Sequence, residues 1–151
     1  MHRETKYRGQ RVDTKEWIYG YLIKCGITGK SYIFPYGNDA NESDKVGEEG
    51  CLRLVTFEVI PETVGQYTGL KDRNGKEIYE GDIVEYGGPQ YLEIYRALIK
   101  YKDDRYIADW IGDVSLRKDI HFWTTEREIQ VIGNIYDNPE LLQEADNGSN
   151  R

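Results

Sequence analysis

The chain has 151 residues, a formal net charge of −7, 38% hydrophobic residues and 13 tyrosines. Such a length suits one domain, or a small barrel with an elaborated N-terminal part, and the acidic balance argues against non-specific nucleic-acid binding, which depends on Lys and Arg neutralising phosphates. No apolar run approaches the ~20 residues that span a bilayer, and the opening Met1-His2-Arg3-Glu4-Thr5-Lys6 is too polar for a signal peptide, so a cytoplasmic protein with no membrane contact is expected.

The charge is uneven: residues 1–30 carry a net +4 and residues 31–90 a net −7. Scattered charges of this kind are read as attraction within or between subunits rather than as a nucleic-acid arm. Residues 1–16 are polar, with Val12 as their aliphatic anchor, and predict an edge strand or an ordered arm. Trp17-Ile18-Tyr19-Gly20-Tyr21-Leu22-Ile23 predicts a strand. Its aromatic and aliphatic residues on both parities predict burial on both faces or an oligomer contact. A turn at Gly26–Lys30 leads to a return strand, Ser31–Phe34, ended by Pro35.

Residues 37–50 read as an acidic loop. The spacing of Asn38, Asn41, Glu42 and Asp44 does not match an EF-hand, which needs alternating ligands, a central Gly and a closing Glu. Val55–Ile60 alternates as a strand and stops at Pro61, and Pro61-Glu62-Thr63 predicts a turn or one helical turn.

Turn chemistry is densest over residues 58–86. Asn74-Gly75 predicts a type I′ hairpin, whose two central positions need positive φ. Asp72 is placed to hydrogen-bond its own turn, Gly69 precedes the turn, and Gly81-Asp82 forms a second turn before the strand Ile83–Tyr86. A Gly-Asp turn followed by an apolar pair fits the start of a strand in a small SH3-like barrel. Residues 90–111 predict a hairpin turning at Asp103-Asp104, with a helix over 91–101 as the competing reading and Tyr and Ile content favouring the strands. Residues 112–126 read as irregular. Glu128–Ile132 predicts the last strand, with a bend at Gly133. Asn138-Pro139-Glu140 opens a short helix with Asn138 as N-cap, pinned by Leu141 and Leu142. Residues 144–151 predict a flexible tail.

Several of these stretches resemble the YopX-like family of phage and prophage proteins. The likeness rests on Pro61–Leu70, then Asp72, Asn74-Gly75 and Glu77–Val84, with a closing segment at Val131–Leu142 and an opening at Tyr7-Arg8-Gly9 and Trp17–Gly20. In order, these cover most of the chain. The resemblance implies a largely β protein that assembles into homo-oligomers; a phage or host protein is a further partner expected of the chain. It carries no activity and no catalytic residues to transfer.

The expected fold is mainly β, α+β at most: a small SH3-like, partly open β-barrel over 61–143, with an N-terminal β-hairpin extension over 1–60 and one short C-terminal helix. No catalytic, cofactor or metal site is expected. Cys25 and Cys51 read as reduced thiols, though one bridge between them stays open. With His121 they lack the local pairing of zinc ligands. No phosphate loop and no Gly-x-Ser-x-Gly elbow is present. Asp72, Glu77, Glu80 and Asp82 form the best carboxylate cluster, with Lys76 nearby, and turn chemistry accounts for them. Gly69, Asp72, Asn74, Gly75, Gly81 and Asp82 are therefore expected as a structural turn motif. Trp17, Tyr19, Tyr21, Tyr67 and Tyr79 are the candidate interaction surface. The function expected is a non-catalytic module working by protein contacts. The alternatives are nucleic-acid binding through Arg3, Lys6, Arg8, Arg11 and Lys15, and a metal-dependent hydrolase using Asp72, Glu77 and Asp82.

Overall fold

In a computed structural model of the chain, residues 4–36, 56–86, 94–111, 118–119 and 129–143 are described. The chain divides at Tyr67/Thr68 into two units, where the sequence reading put the division at 60/61. The first unit is an antiparallel sheet of β1 (Tyr7–Gln10), β2 (Trp17–Lys24), β3 (Ser31–Pro35), β4 (Phe57–Val59) and the start of β5 (Gly65–Lys71). Their order across the sheet is β4-β3-β2-β1-β5.

The polar segment expected as an edge strand or arm is thus an interior strand. Tyr7–Gln10 pairs with β2 on one side and with β5 on the other. Its missing apolar character is supplied by close approach. A Cβ on Gly9 would meet the Val59 side chain at 3.0 Å, so strand and core touch backbone to side chain. Gly20 is tighter still: a Cβ there would lie 1.9 Å from the Phe34 carbonyl oxygen. Ile18, Ile33 and Val59 form the core of this unit, with Tyr7, Leu22, Phe57 and Val64 packed against them. Val12 is exposed and anchors nothing in that core. Pro61–Thr63 is a single 3-10 turn. Thr63 is buried there, and its hydroxyl accepts the Gln10 N–H at 2.9 Å.

In the second unit β7 (Asp82–Tyr86), β8 (Tyr95–Lys102), β9 (Arg105–Trp110), β10 (Lys118–Asp119) and β11 (Ile129–Asn134) form a sheet in the order β10-β9-β8-β7-β11. A short β6 (Glu77–Tyr79) lies beside β5, and Thr68 Oγ1 donates to the Ile78 carbonyl at 2.8 Å. The core runs through Ile78, Val84, Ala97, Ile99, Ile129 and Val131. Gly133 sits in the register shift between β11 and β7, where a Cβ would strike the Asn138 side chain.

The Asn74-Gly75 hairpin forms, but as a different turn. Gly75 has φ +81°, and Asn74 is not among the residues with positive φ. The Gly75 N–H donates to the Asp72 carbonyl at 3.0 Å and the Asp72 N–H to the Lys76 carbonyl at 2.8 Å. This is a three-residue loop with Gly at its left-handed position. The I′ geometry occurs instead at Asp103-Asp104, with φ of 53° and 60°, between the paired Lys102 and Arg105.

The fold is mainly antiparallel β. The described strands form open sheets, and no closed barrel occurs among them. At the C-terminal end Pro139–Leu142 makes one 3-10 turn with no buried residue. Asn138 is not a side-chain cap of that turn. Its Oδ1 reaches back to accept the Asn134 N–H at 3.3 Å. The acidic loop 37–50, Cys51, the segment 112–117, His121 and the tail 144–151 lie outside the described residues.

Candidate functional site

Residues directly opposite in an antiparallel pair share a face. The registers Arg8↔Tyr19, Tyr21↔Phe34 and Ile23↔Tyr32 therefore gather β2 residues 17, 19, 21 and 23, β3 residues 32 and 34, and Arg8 on one face of the first sheet. The core cluster occupies the other. Along this aromatic face exposure rises from one end to the other. Arg8 is buried at 4%, Trp17 and Tyr19 are half-buried, and Tyr21 and Ile23 are exposed at 51% and 45%.

Cations and rings interleave on it. The Arg8 guanidinium lies 4.6 Å from the Trp17 ring centre, and Lys6 Nζ lies 5.2 Å from Tyr36 and 5.7 Å from Tyr67. Tyr36 tilts against Tyr21 at 4.5 Å between centroids. Its hydroxyl donates to the Thr5 carbonyl at 2.8 Å. Burial, with Tyr21 alongside, pushes the Tyr36 phenol up to about 12, while Lys6 works against the shift.

At the β1–β2 turn, a cleft of 320 Å³ is lined by Arg11, Glu16, Trp17, Ile18, Tyr19 and Phe57. The Arg11 guanidinium lies over the Phe57 ring at 4.3 Å. It donates twice to Asp13, at 2.9 and 2.6 Å. That hydrogen bond raises Arg11 and holds the Asp13 carboxyl below its ordinary value. The turn is tied down by Thr14 N–H to Asp13 Oδ1 (2.8 Å) and Lys15 N–H to the Arg11 carbonyl (3.1 Å).

The YopX protein family matches residues 6–143. The chain belongs to the YopX family. Among solved structures it is similar to protein EF1440 from Enterococcus faecalis, at 24% identity, TM-score 0.62, 94% of this chain and 100% of that one. It is also similar to YopX from Bacillus subtilis, at 22% identity, TM-score 0.53, 91% of this chain and 95% of that one. At these identities the likeness is one of fold. No curated protein matches the chain.

In this YopX-family chain the interaction residues expected from sequence divide. Trp17, Tyr19 and Tyr21 share the aromatic face. Tyr67 and Tyr79 do not act as surface: they are 7% and 2% exposed, and the Tyr79 hydroxyl donates to Glu77 Oε2 at 2.7 Å. Strand aromatics of either role have the same composition, and only their register separates them. Tyr32, Phe34 and Tyr36 were the missed members. Their alternation along β3 and one residue past its end was the available signal.

The turn motif is structural in detail. Asp72 Oδ1 accepts Asn74 and Lys76 N–H at 2.8 and 2.9 Å, and Oδ2 accepts the Val131 N–H at 3.0 Å. Asp82 Oδ2 accepts the Tyr79 N–H at 2.8 Å across a turn in which Gly81 has φ +90°, and Gly69 has φ +86°. The Asp72 and Asp82 carboxylates thus face backbone N–H groups of the fold, and Glu77 faces a phenol. Among the described residues no group of three or more His, Cys, Asp or Glu is placed to hold a metal ion, and no helix is long and apolar enough to cross a membrane.

Proposed function

We propose that this YopX-family chain is a non-catalytic phage or prophage accessory protein that works through protein–protein contacts and assembles as a homo-oligomer. The observation that carries this reading is the exposed end of the aromatic face, where Tyr21 and Ile23 stand out from the sheet beside Phe34 and Tyr32. Large side chains held rigidly by strand pairing lose little further freedom on docking, and aromatic residues are enriched at interface cores. A solution mass by light scattering tests the reading. The wild type is expected above the monomer mass, and Tyr21→Arg with Ile23→Asp is expected to lower it to the monomer. A monomeric wild type that retains no protein in a pull-down from host lysate would sink the proposal.

Nucleic-acid binding is a second reading, favoured by Lys6 and Arg8 lying among rings, as on single-strand stacking platforms. Both side chains are largely buried, however, at 16% exposure for Lys6 and 4% for Arg8 as a residue, and each packs on a ring of its own sheet. Low-salt titration with single-stranded DNA and RNA decides it: undetectable binding removes this reading.

A further inference from the structure

We propose that Asn74-Gly75 is a self-modification site, at which the asparagine side chain closes on its own backbone. The Asp72 hairpin holds the site unreactive, and its reaction frees that hairpin from β11. This is independent of the protein-contact reading above.

Glycine after asparagine leaves this chemistry least hindered, because glycine has no Cβ to block approach to its nitrogen. The Gly75 nitrogen gives up its proton and attacks Asn74 Cγ. The bond from Cγ to the side-chain nitrogen breaks, and that nitrogen leaves with the proton as ammonia. Water then opens the cyclic imide at one carbonyl or the other. The product is aspartate, or isoaspartate, in which the main chain runs through the former side chain. Either way a neutral amide becomes a carboxylate, and water is the only co-reactant.

Asn74 and Gly75 are both exposed, so water reaches the site. The turn nevertheless opposes ring closure in two ways. Closure swings the Gly75 nitrogen about the Asn74 Cα–C bond towards Cγ. Asp72 holds the amides on either side of that bond: its Oδ1 accepts the Asn74 N–H at 2.8 Å, and its carbonyl accepts the Gly75 N–H at 3.0 Å. The attacking nitrogen must also lose the proton that it donates. It must do so beside a carboxylate, whose charge disfavours a second negative charge nearby. The closed turn is therefore the unreactive form, and reaction waits for the hairpin to open.

Reaction undoes more than the turn. Isoaspartate adds a methylene to a loop whose length is set by Asp72 and Lys76. The Asp72 N–H donates to the Lys76 carbonyl at 2.8 Å, and the Lys76 N–H to Asp72 Oδ1 at 2.9 Å. The same hairpin is tied to β11 by Arg73 N–H to the Ile129 carbonyl and by Val131 N–H to Asp72 Oδ2, both at 3.0 Å. A loop that no longer fits loosens both ties and bares the edge of β11. Ammonia is lost in the first step, so the change is one-way and accumulates with each opening.

The test incubates the full chain and a peptide of residues 70–78 in the same neutral buffer and follows residue 74 by peptide mapping. Hydrogen exchange of the Gly75 amide is measured on the full chain. Asn74 in the chain is expected to react at least about tenfold more slowly than in the peptide, the worth of one hydrogen bond held in the turn. The slowing should match the exchange protection of the Gly75 amide, since both report the same local opening. Asp72→Ala, assayed where circular dichroism shows it folded, should bring the rate towards that of the peptide. The reacted chain, separated by its added negative charge, should lose exchange protection at the Arg73 and Val131 amides. Equal rates in chain and peptide would overturn the proposal, as would a folded Asp72→Ala chain that reacts as slowly as the wild type. A reacted chain with Arg73 and Val131 still protected would remove the release from β11. If Asp72→Ala does not fold, the comparison of wild-type chain and peptide decides alone.

Discussion

Both carboxylate oxygens of Asp72 are engaged by backbone N–H groups, two within its own hairpin and one from Val131, which is 59 positions away in sequence. The residue therefore closes a turn and fastens that turn to strand β11 at once. It is 7% exposed, so truncation leaves three donors with little water to replace the lost acceptor. Asp72→Ala is expected to cost about 3 kcal/mol, from hydrogen bonds to a charged acceptor and the penalty for orphaned donors. Asp72→Asn keeps one oxygen for the hairpin and presents an amide to Val131, so a smaller loss of about 1–2 kcal/mol is expected. Urea unfolding of the two variants checks the order, and an Asp72→Ala protein as stable as wild type would show the carboxylate to be idle. The local half of this role was legible, because Asp before Asn-Gly is turn chemistry. The bond to Val131 was not, since no spacing rule reaches across such a separation. Arg8 makes the same point from the other side. Nothing in Tyr7-Arg8-Gly9-Gln10 signals an interior strand, because its burial depends on a guanidinium lying over Trp17 and on core packing against Gly9.

Turns decide how the elements meet, and here two hairpins exchange the geometries that their sequences suggest. Asn74-Gly75 carries the favoured I′ dipeptide, yet its loop closes one residue longer, because Asp72 captures both the Asn74 and the Lys76 N–H. Asp103-Asp104 carries the two-residue I′ turn, with both residues left-handed. A non-glycine residue held there costs about 1–2 kcal/mol, partly offset by the smaller entropy loss compared with glycine. Asp104→Gly is accordingly expected to stabilise the chain by about 1 kcal/mol. For a chain of this size that is a rise in Tm of about 3 °C, read by thermal denaturation; a lower Tm would mean that the Asp104 side chain contributes more than its backbone strain costs. The Asp72 hairpin also accounts for a feature of the sheet. Strand β11 lies at its edge, where unpaired backbone groups invite a foreign strand. Arg73 N–H donates to the Ile129 carbonyl at 3.0 Å, and Asp72 takes the Val131 N–H, so the hairpin covers that edge from within the chain. Strand existence was legible from alternation and β-branched content, and Trp17–Lys24, Ser31–Pro35 and Tyr95–Lys102 fall where the pattern puts them. Strand neighbours were not: the sequence separates Tyr7 from Gln66, and only the register joins them.

At the scale of the whole molecule, alkaline pH is the condition to which this chain is most exposed. It begins at a net charge of −7 and holds 13 tyrosines, so every phenol that ionises adds to an existing excess of negative charge. Tyr36 resists: its folded value is pushed up to about 12, from an ordinary 10.0, chiefly by burial. A group raised in the folded state contributes stability that is fully present below its unfolded value and is lost as pH rises through the folded one. For Tyr36 that window opens near pH 10.0 and closes at about 12. The Tyr36 hydroxyl also donates to the Thr5 carbonyl, a bond that the phenolate cannot make. Stability should therefore fall over this window, with tyrosinate absorbance rising as β-sheet circular dichroism is lost. Tyr36→Phe has no proton to lose at this site, so its stability at pH 7 should be lower by about 1 kcal/mol, the net worth of one hydrogen bond, while its decline across the window should be shallower. Added salt should soften the decline in both proteins by screening the general repulsion, leaving the difference between them. If the two profiles are parallel at high salt, general charge repulsion alone drives the alkaline transition and Tyr36 has no particular part in it.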